Sequence, residues 1–141
     1  MALVFLTDND ILTSIRDVFL DHITDEDQTI IDKAEASAIS KMKSKLSGRF
    51  DVDAIFTATD EDRDPLILEY CVAIFLYRLH GRINPRKVPS KVKEQYDEAM
   101  EWLKGVMMGK ENPALPILPD DELGSNSARY GGSQTPKDNF Y

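Results

Sequence analysis

The sequence predicts an all-α protein, a small helical bundle of about four helices around a buried central helix, followed by an extended C-terminal tail. Apolar residues recur at helical spacings in several segments. The segment from Leu66 to His80 is apolar on almost every side, which is typical of a buried helix. After Gly109, proline, glycine, serine and asparagine become frequent and disfavour regular structure. We therefore expect a helical domain over residues 1–109 and a docking tail over residues 110–141.

The first helix is predicted to begin near Thr7. Thr7 and Asp10 have the spacing of a capping box, in which each side chain bonds to the other residue's backbone amide. Apolar residues follow at helical spacings, namely Ile11, Leu12, Ile15, Val18 and Phe19. An acidic cluster from Asp21 to Asp27 ends the segment, which forms either one helix or two short ones.

The second helix is predicted from about Thr29 to Ser47, with Gly48 as the residue that stops it. One apolar stripe runs along it, formed by Ile31, Ala34, Ala38, Met42 and Leu46. Residues 49–64 are predicted to form a loop. Val52, Ala54 and Phe56 alternate with polar residues, so a short strand is the alternative there.

Two further helices complete the predicted bundle. Asp64 is a suitable N-cap, Pro65 suits the first position of the third helix, and Gly81 is the expected C-cap. The fourth helix is predicted to run from Ser90, as its N-cap, to Gly109. Its inner stripe consists of Val92, Tyr96, Ala99, Leu103 and Val106, with Met100 and Met107 alongside.

Charge and composition restrict the possible functions. The 141-residue chain carries a formal charge of −8, which repels phosphates and disfavours autonomous nucleic-acid binding. It does not exclude a protein that surrounds DNA without gripping it. The single cysteine, Cys71, lies in an apolar run and is expected to be a buried small residue. The longest apolar stretch is too short to span a bilayer, so we expect a soluble chain made in a reducing cytoplasm, with no membrane partner.

The sequence contains no recognisable catalytic or metal-binding motif. His22 and His80 are not part of the paired Glu-x-x-His motifs of di-iron bundles. The acidic clusters lack the spacing of a calcium-binding loop, and no nucleophile or phosphate-binding motif occurs. We therefore predict no catalytic residue, no metal site and no cofactor, and a protein that is not an enzyme.

Two groups of residues are candidates for binding. A basic cluster comprises Arg78, Arg82, Arg86 and Lys87, for which intersubunit or DNA contacts are one interpretation. The other is that these side chains extend from a helix end and pair with nearby acids. The tail carries isolated apolar anchors that are predicted to bind a partner, namely Leu115, Ile117, Leu118, Tyr130, Phe140 and Tyr141.

Three segments together resemble a known family. Ile31–Glu35 leads to the turn Leu46–Phe50, Ala73–Arg82 ends the buried helix, and Tyr96–Lys104 leads to Gly109-Lys110. In this order and spacing they resemble the Mu-like family of small tailed-phage proteins assigned to the head–tail connector. The similarity covers about residues 6–110. The acidic segment 51–64 has no proline-rich stretch and the tail is unusually long, which are departures from the family pattern.

The resemblance implies a structural virion protein, an adaptor or head completion protein at the head–tail junction. Such adaptors form an oligomeric ring below the portal, join capsid to tail and leave a DNA channel. The implied partners are the portal protein, neighbouring copies of the chain, stopper or tail proteins, and DNA that passes without specific binding. The alternative is a non-virion helical interaction module, such as an assembly chaperone or inhibitor. A DNA-packaging factor would need a basic face. The Arg78–Lys87 cluster is the only feature of the sequence that supports one.

Overall fold

A computed structural model describes residues 3–15, 20, 27–83 and 86–118 of the chain. Five α-helices lie within these residues, together with a short 3-10 turn at Asp60–Asp62. The helices are α1 (Asp8–Leu12), α2 (Gln28–Leu46), α3 (Val52–Thr57), α4 (Pro65–Ile83) and α5 (Ser90–Met107). No strand occurs in the described part, where the only β-type pairing is an isolated bridge between Phe50 and Ile117. The predicted all-α bundle is therefore confirmed.

The helix α4 is the centre of the bundle. It packs against both α2 and α5, which also pack against each other. Its N-terminus is capped by Asp64, whose Oδ1 accepts hydrogen bonds of 3.0 Å from the amides of Leu66 and Ile67. The six residues from Cys71 to Leu76 are all buried. A helix buried on every side must lie inside the bundle, as the sequence predicts.

The helix α2 covers one side of α4 with a face of small and medium residues. Asp27 caps its N-terminus, Ser47 caps its C-terminus, and Gly48 follows directly, as predicted. Most of the predicted stripe is buried, namely Ala34, Ala38, Met42 and Leu46. Ala38 is fully buried, and its small side chain lets neighbouring helices approach closely. Glu35 and Asp32 are buried on the same helix.

The N-terminal segment is held on the bundle by two charged side chains. Glu35, at 2% exposure, accepts hydrogen bonds from the amides of Val4, Phe5 and Leu6 at 2.8, 2.8 and 2.7 Å. Arg63 donates to the carbonyl of Phe5 at 3.0 Å.

Arg63 also pairs with Asp10, at 2.6 Å between Nη1 and Oδ2. The capping box of Thr7 and Asp10 is present as predicted. The helix α1 ends at Leu12, and the predicted apolar residues Val18 and Phe19 lie outside the described residues.

The prediction for residues 49–64 was wrong, because part of this segment is helical. Asp51 caps α3 by accepting a 3.1 Å hydrogen bond from the amide of Ala54. The buried residues are the adjacent Ile55 and Phe56, whereas Ala54 is exposed. The alternation of Val52, Ala54 and Phe56 therefore does not reflect burial. The local cap and the contact of Phe56 with Phe5, at 5.1 Å between ring centroids, favour a helical turn instead.

Two predicted caps were also misplaced. Gly81 lies inside α4, which is described as far as Ile83 and is followed in the sequence by Asn84-Pro85. The residue before a proline is disfavoured in helical conformation, so this pair is a stronger stop than the glycine. Pro89, not Ser90, is the N-cap of α5, and no side chain caps that end. Gly109 follows the C-cap Met108 with a φ of 81°, a conformation that favours glycine.

Residues 110–118 lie against the helical bundle. Arg49 donates to the carbonyl of Val106 at 2.9 Å and to Oδ1 of Asn112 at 3.0 Å. The amide of Asp51 donates to the carbonyl of Pro116 at 2.9 Å. Leu115 is 8% exposed and belongs to the core. The first part of the predicted tail is thus bound to its own chain, and residues 119–141 lie outside the described residues.

Candidate interaction surface

A groove with a volume of about 480 Å³ opens between α2, α4 and α5. We call it the basic groove. Its apolar lining comes mainly from Ile30 and Ala34 of α2 and from Ile74 and Leu79 of α4. Lys33, Ser37, Lys41, Tyr77, Arg78, Gly81, Arg82 and Tyr96 complete the lining. The groove suits an apolar side chain or an extended peptide.

Two stacked tyrosines form one wall of the basic groove. The rings of Tyr77 and Tyr96 lie 3.9 Å apart between centroids, with an interplanar angle of 15°. Lys41 donates a 3.2 Å hydrogen bond from Nζ to the hydroxyl of Tyr96. Its ammonium also lies 5.4 Å from the centre of the same ring, within the range of a cation–π interaction. These contacts connect all three helices at the groove and hold its aromatic wall in place.

The rim of the basic groove is cationic. Four of the residues that line it are Lys33, Lys41, Arg78 and Arg82, and among the described residues no aspartate or glutamate lines it. The whole chain has 17 basic and 25 acidic residues, so the charge of the groove lining is opposite in sign to the net charge of the chain. Such a recess attracts a negatively charged partner.

A second cavity, of about 320 Å³, has the opposite charge. It lies between α4, α5 and the segment around α1, and its carboxylates are Asp10, Glu69 and Glu98. The hydroxyl of Tyr70 donates to Glu98 at 3.3 Å. Burial and the charge of Glu98 raise the pKa of Tyr70, so the hydroxyl stays protonated. This cavity and the basic groove therefore have opposite charges.

The structure brings together only half of the predicted basic cluster. Arg78 and Arg82 line the basic groove. Arg86 and Lys87 are exposed in the connection between α4 and α5 and do not line it. Sequence reasoning missed Lys33, Lys41 and Tyr96, which come from other helices. The available signal was the spacing of Lys33, Ser37 and Lys41, which places the three side chains on one face of α2.

The predicted tail anchors occupy different environments. Leu115 lies in the core of its own chain, at 8% exposure. Ile117 forms the isolated bridge with Phe50, yet its side chain is 63% exposed. Leu118 is half-buried, and its amide donates to the carbonyl of Arg49 at 3.3 Å. Tyr130, Phe140 and Tyr141 lie outside the described residues.

Burial affects the thiol of Cys71 and the imidazole of His80. Cys71 is fully buried, as predicted, and burial raises the pKa of its thiol, so no thiolate forms near neutral pH. Burial lowers the pKa of the half-buried His80. The described residues contain no group of three or more histidine, cysteine, aspartate or glutamate side chains placed to hold a metal ion. Within the same residues, no helix is both long and apolar enough to cross a membrane.

Comparison with known proteins places the chain in a phage family. Residues 5–130 match the family described as Bacteriophage Mu, Gp36. No curated protein and no solved structure gives a significant match. The matched region includes every described helix and extends beyond Leu118 into the tail. Because the match covers most of the sequence, the chain belongs to the bacteriophage Mu Gp36 family.

Proposed function

We propose that this chain is a structural virion protein, an adaptor in the head–tail connector. It binds below the portal as a ring, joins the capsid to the tail and leaves a channel for DNA. The observation that carries the proposal is membership of the phage Mu Gp36 family over residues 5–130. The proposed partners are the portal protein, neighbouring copies of the chain, and stopper or tail proteins. The role is structural, with no catalytic step and no cofactor.

The architecture supports an adaptor because side-chain hydrogen bonds connect its distant chain segments. Glu35 and Arg63 hold the N-terminal segment, and Arg49 holds residues 110–118 against the end of α5. Each of these side chains bonds to backbone atoms far away in the sequence. Hydrogen bonds between segments that are distant in sequence favour a subunit that keeps its shape in an assembly.

The distribution of charge favours a channel through which DNA passes, and it disfavours a surface that binds duplex DNA. The net charge of −8 repels phosphates, which lets DNA pass without sticking. The basic groove is a single recess with an apolar floor and stacked tyrosines. A duplex-binding surface instead presents a basic stripe that follows the phosphate backbone. We therefore assign the cations of the groove to contacts with protein.

The proposal is tested by the mass of the purified chain in solution, alone and mixed with its cognate portal. An adaptor joins the portal as a stoichiometric ring. A chain that never binds the portal at any concentration tested contradicts the proposal and favours the interaction module, such as a chaperone or inhibitor. Duplex DNA binding at low salt is the companion measurement. Tight binding that weakens steeply with salt would instead indicate a DNA-binding factor.

A further inference from the structure

We propose that the basic groove of one copy binds the acidic tail segment Asp120–Leu123 of a neighbouring copy. This inference deepens the proposed function and rests on it for the ring, since it supplies a contact from each subunit to the next. The segment reads Asp-Asp-Glu-Leu and lies directly after the described part of the chain. It combines three carboxylates with one apolar side chain.

The chemistry of the segment matches that of the groove. Lys33 and Arg78 in the lining attract the carboxylates. The leucine side chain suits the floor formed by Ile74 and Leu79. Charge pairs at a rim contribute specificity and rate of association, whereas burial of the apolar side chain contributes affinity. The acidic cavity at Glu69 and Glu98 repels the same segment, so the two recesses are not interchangeable.

The tail between the bundle and the acidic segment is short. Leu118 is bonded to Arg49, just beyond the end of α2 at Leu46. An extended chain from Leu118 to Leu123 spans at most about 18 Å, and Lys33 lies about 20 Å from Leu46 along the helix axis. The segment therefore reaches part of the groove of its own chain as well, and a chain that carries both cysteines distinguishes that site from the groove of a neighbour.

A contact of this kind determines the symmetry of the assembly. The tail and the groove are different surfaces, so each copy gives its tail to one neighbour and receives a tail from another. Such heterologous contacts form rings when the rotation closes. Because the tether after Leu118 is so short, the two bodies must also touch. Each chain therefore carries both surfaces, the tail segment and the groove, that the ring of the proposed connector needs.

Cysteine crosslinking of full-length chains tests the inference. One variant carries Ser37→Cys in the groove, and a second carries Gly124→Cys next to the acidic segment. Native Cys71 is fully buried and stays in both. The two variants are mixed under mild oxidation, and disulfide-linked dimers are measured on non-reducing gels. The control replaces the groove variant with Ala36→Cys, which is exposed on α2 outside the groove.

We expect the groove mixture to yield several-fold more heterodimer than the control mixture. Equal yields from both mixtures would overturn the inference. So would a chain carrying both Ser37→Cys and Gly124→Cys that forms only an internal crosslink, because the segment would then occupy its own groove.

Charge reversal gives a second, independent readout. Asp120→Lys with Asp121→Lys, or Lys33→Glu with Arg78→Glu, should each abolish the crosslink when all copies carry it. Combining the tail-reversed and groove-reversed chains restores opposite charges and should restore the crosslink. A matched reversal on the exposed face of α5, Lys91→Glu, should leave it unchanged. Failure of the mixture to recover would contradict the charge pairing.

The outcome is separable from that of the proposed function. Crosslinking is measured on the chain alone, whereas the connector role is measured by binding to the portal. If the tail crosslinks to the groove but the chain does not bind the portal, the tail–groove contact is supported and the connector role is contradicted. If the chain joins the portal in a ring but this crosslink does not form, the connector role is supported and the tail–groove contact is contradicted.

Discussion

The carboxylate of Glu35 accepts a 2.7 Å hydrogen bond from the backbone amide of Leu6, 29 positions earlier in the chain. Two further amides, those of Val4 and Phe5, donate to the same carboxylate. A buried charge is costly unless it is well hydrogen-bonded, and here three donors satisfy it. This cluster explains how a charged residue occupies the inner face of α2.

Replacing Glu35 should therefore destabilise the protein strongly. Glu35→Ala leaves three amides without their acceptor, and we expect a loss of about 2–4 kcal/mol in the free energy of unfolding. Urea denaturation followed by circular dichroism measures it. Glu94→Ala, an exposed glutamate of α5, is the control and should change stability by less than about 0.5 kcal/mol. Equal effects of the two variants would contradict the role of Glu35.

The pair of Asp10 and Arg63 should make stability depend on pH under acidic conditions. Burial alone would raise the pKa of Asp10, but hydrogen bonds from Arg63 and Thr7 hold it below the ordinary value of 3.8. The unfolded chain therefore takes up this proton first as the pH falls. The stabilisation is complete above the ordinary value and is lost as the pH falls through the lower, folded value.

Arg63→Met should remove this contribution. Near neutral pH we expect a loss of about 2–4 kcal/mol, because Asp10 loses its ion pair and the carbonyl of Phe5 loses a donor. The difference between wild type and variant should shrink as the pH falls below 3.8. Denaturation series at several pH values measure it. A difference that stays constant down to low pH would show that the ion pair does not cause it.

Leu115 and Ile117 provide a matched pair that tests how residues 110–118 are held. Leu115→Ala removes a core side chain and should cost about 2–4 kcal/mol. Ile117→Ala changes a side chain that is 63% exposed and should cost less than about 1 kcal/mol. Thermal unfolding of both variants makes the comparison. Similar losses at the two positions would contradict the described packing of this segment.

Truncation at two positions tests the same segment as a unit. A chain that ends after Leu118 should retain the melting temperature of the full chain, because every described contact is kept. A chain that ends after Gly109 should melt lower, because Arg49 loses Asn112 and the core loses Leu115. Scanning calorimetry distinguishes them. Identical melting of both truncated chains would show that residues 110–118 contribute nothing to the fold.

The local part of the fold could be predicted from the sequence. Three local signals are present in the sequence. Two of them, the Asp64-Pro65 pair and the Thr7–Asp10 capping box, lie within one helical turn. The third is the apolar composition of α4 on almost every side. The helix α3 was not predicted, because the alternation of Val52, Ala54 and Phe56 with polar residues resembles a strand. Asp51, the N-cap of α3, is the local signal that favours a helix there. Gly81 is a weaker stop signal than the proline four residues later.

The candidate surface was only half predictable, for a different reason. Arg78 and Arg82 lie one helical turn apart, so sequence alone groups them. Lys41 and Tyr96 meet only after α2 and α5 pack side by side, 55 positions apart. The partners of Glu35 are likewise distant in sequence. Contacts of this kind depend on how helices pack, and no local pattern contains that information.

The most direct test of the connector proposal is to locate the protein in purified phage particles by cryo-electron microscopy. We expect a ring of density directly below the portal, at the head–tail junction, into which α2, α4 and α5 fit as rigid helices. Particles of a mutant lacking the protein should have filled heads without tails. If the protein is absent from mature particles, or lies away from the portal, the connector assignment is contradicted and a transient assembly role takes its place.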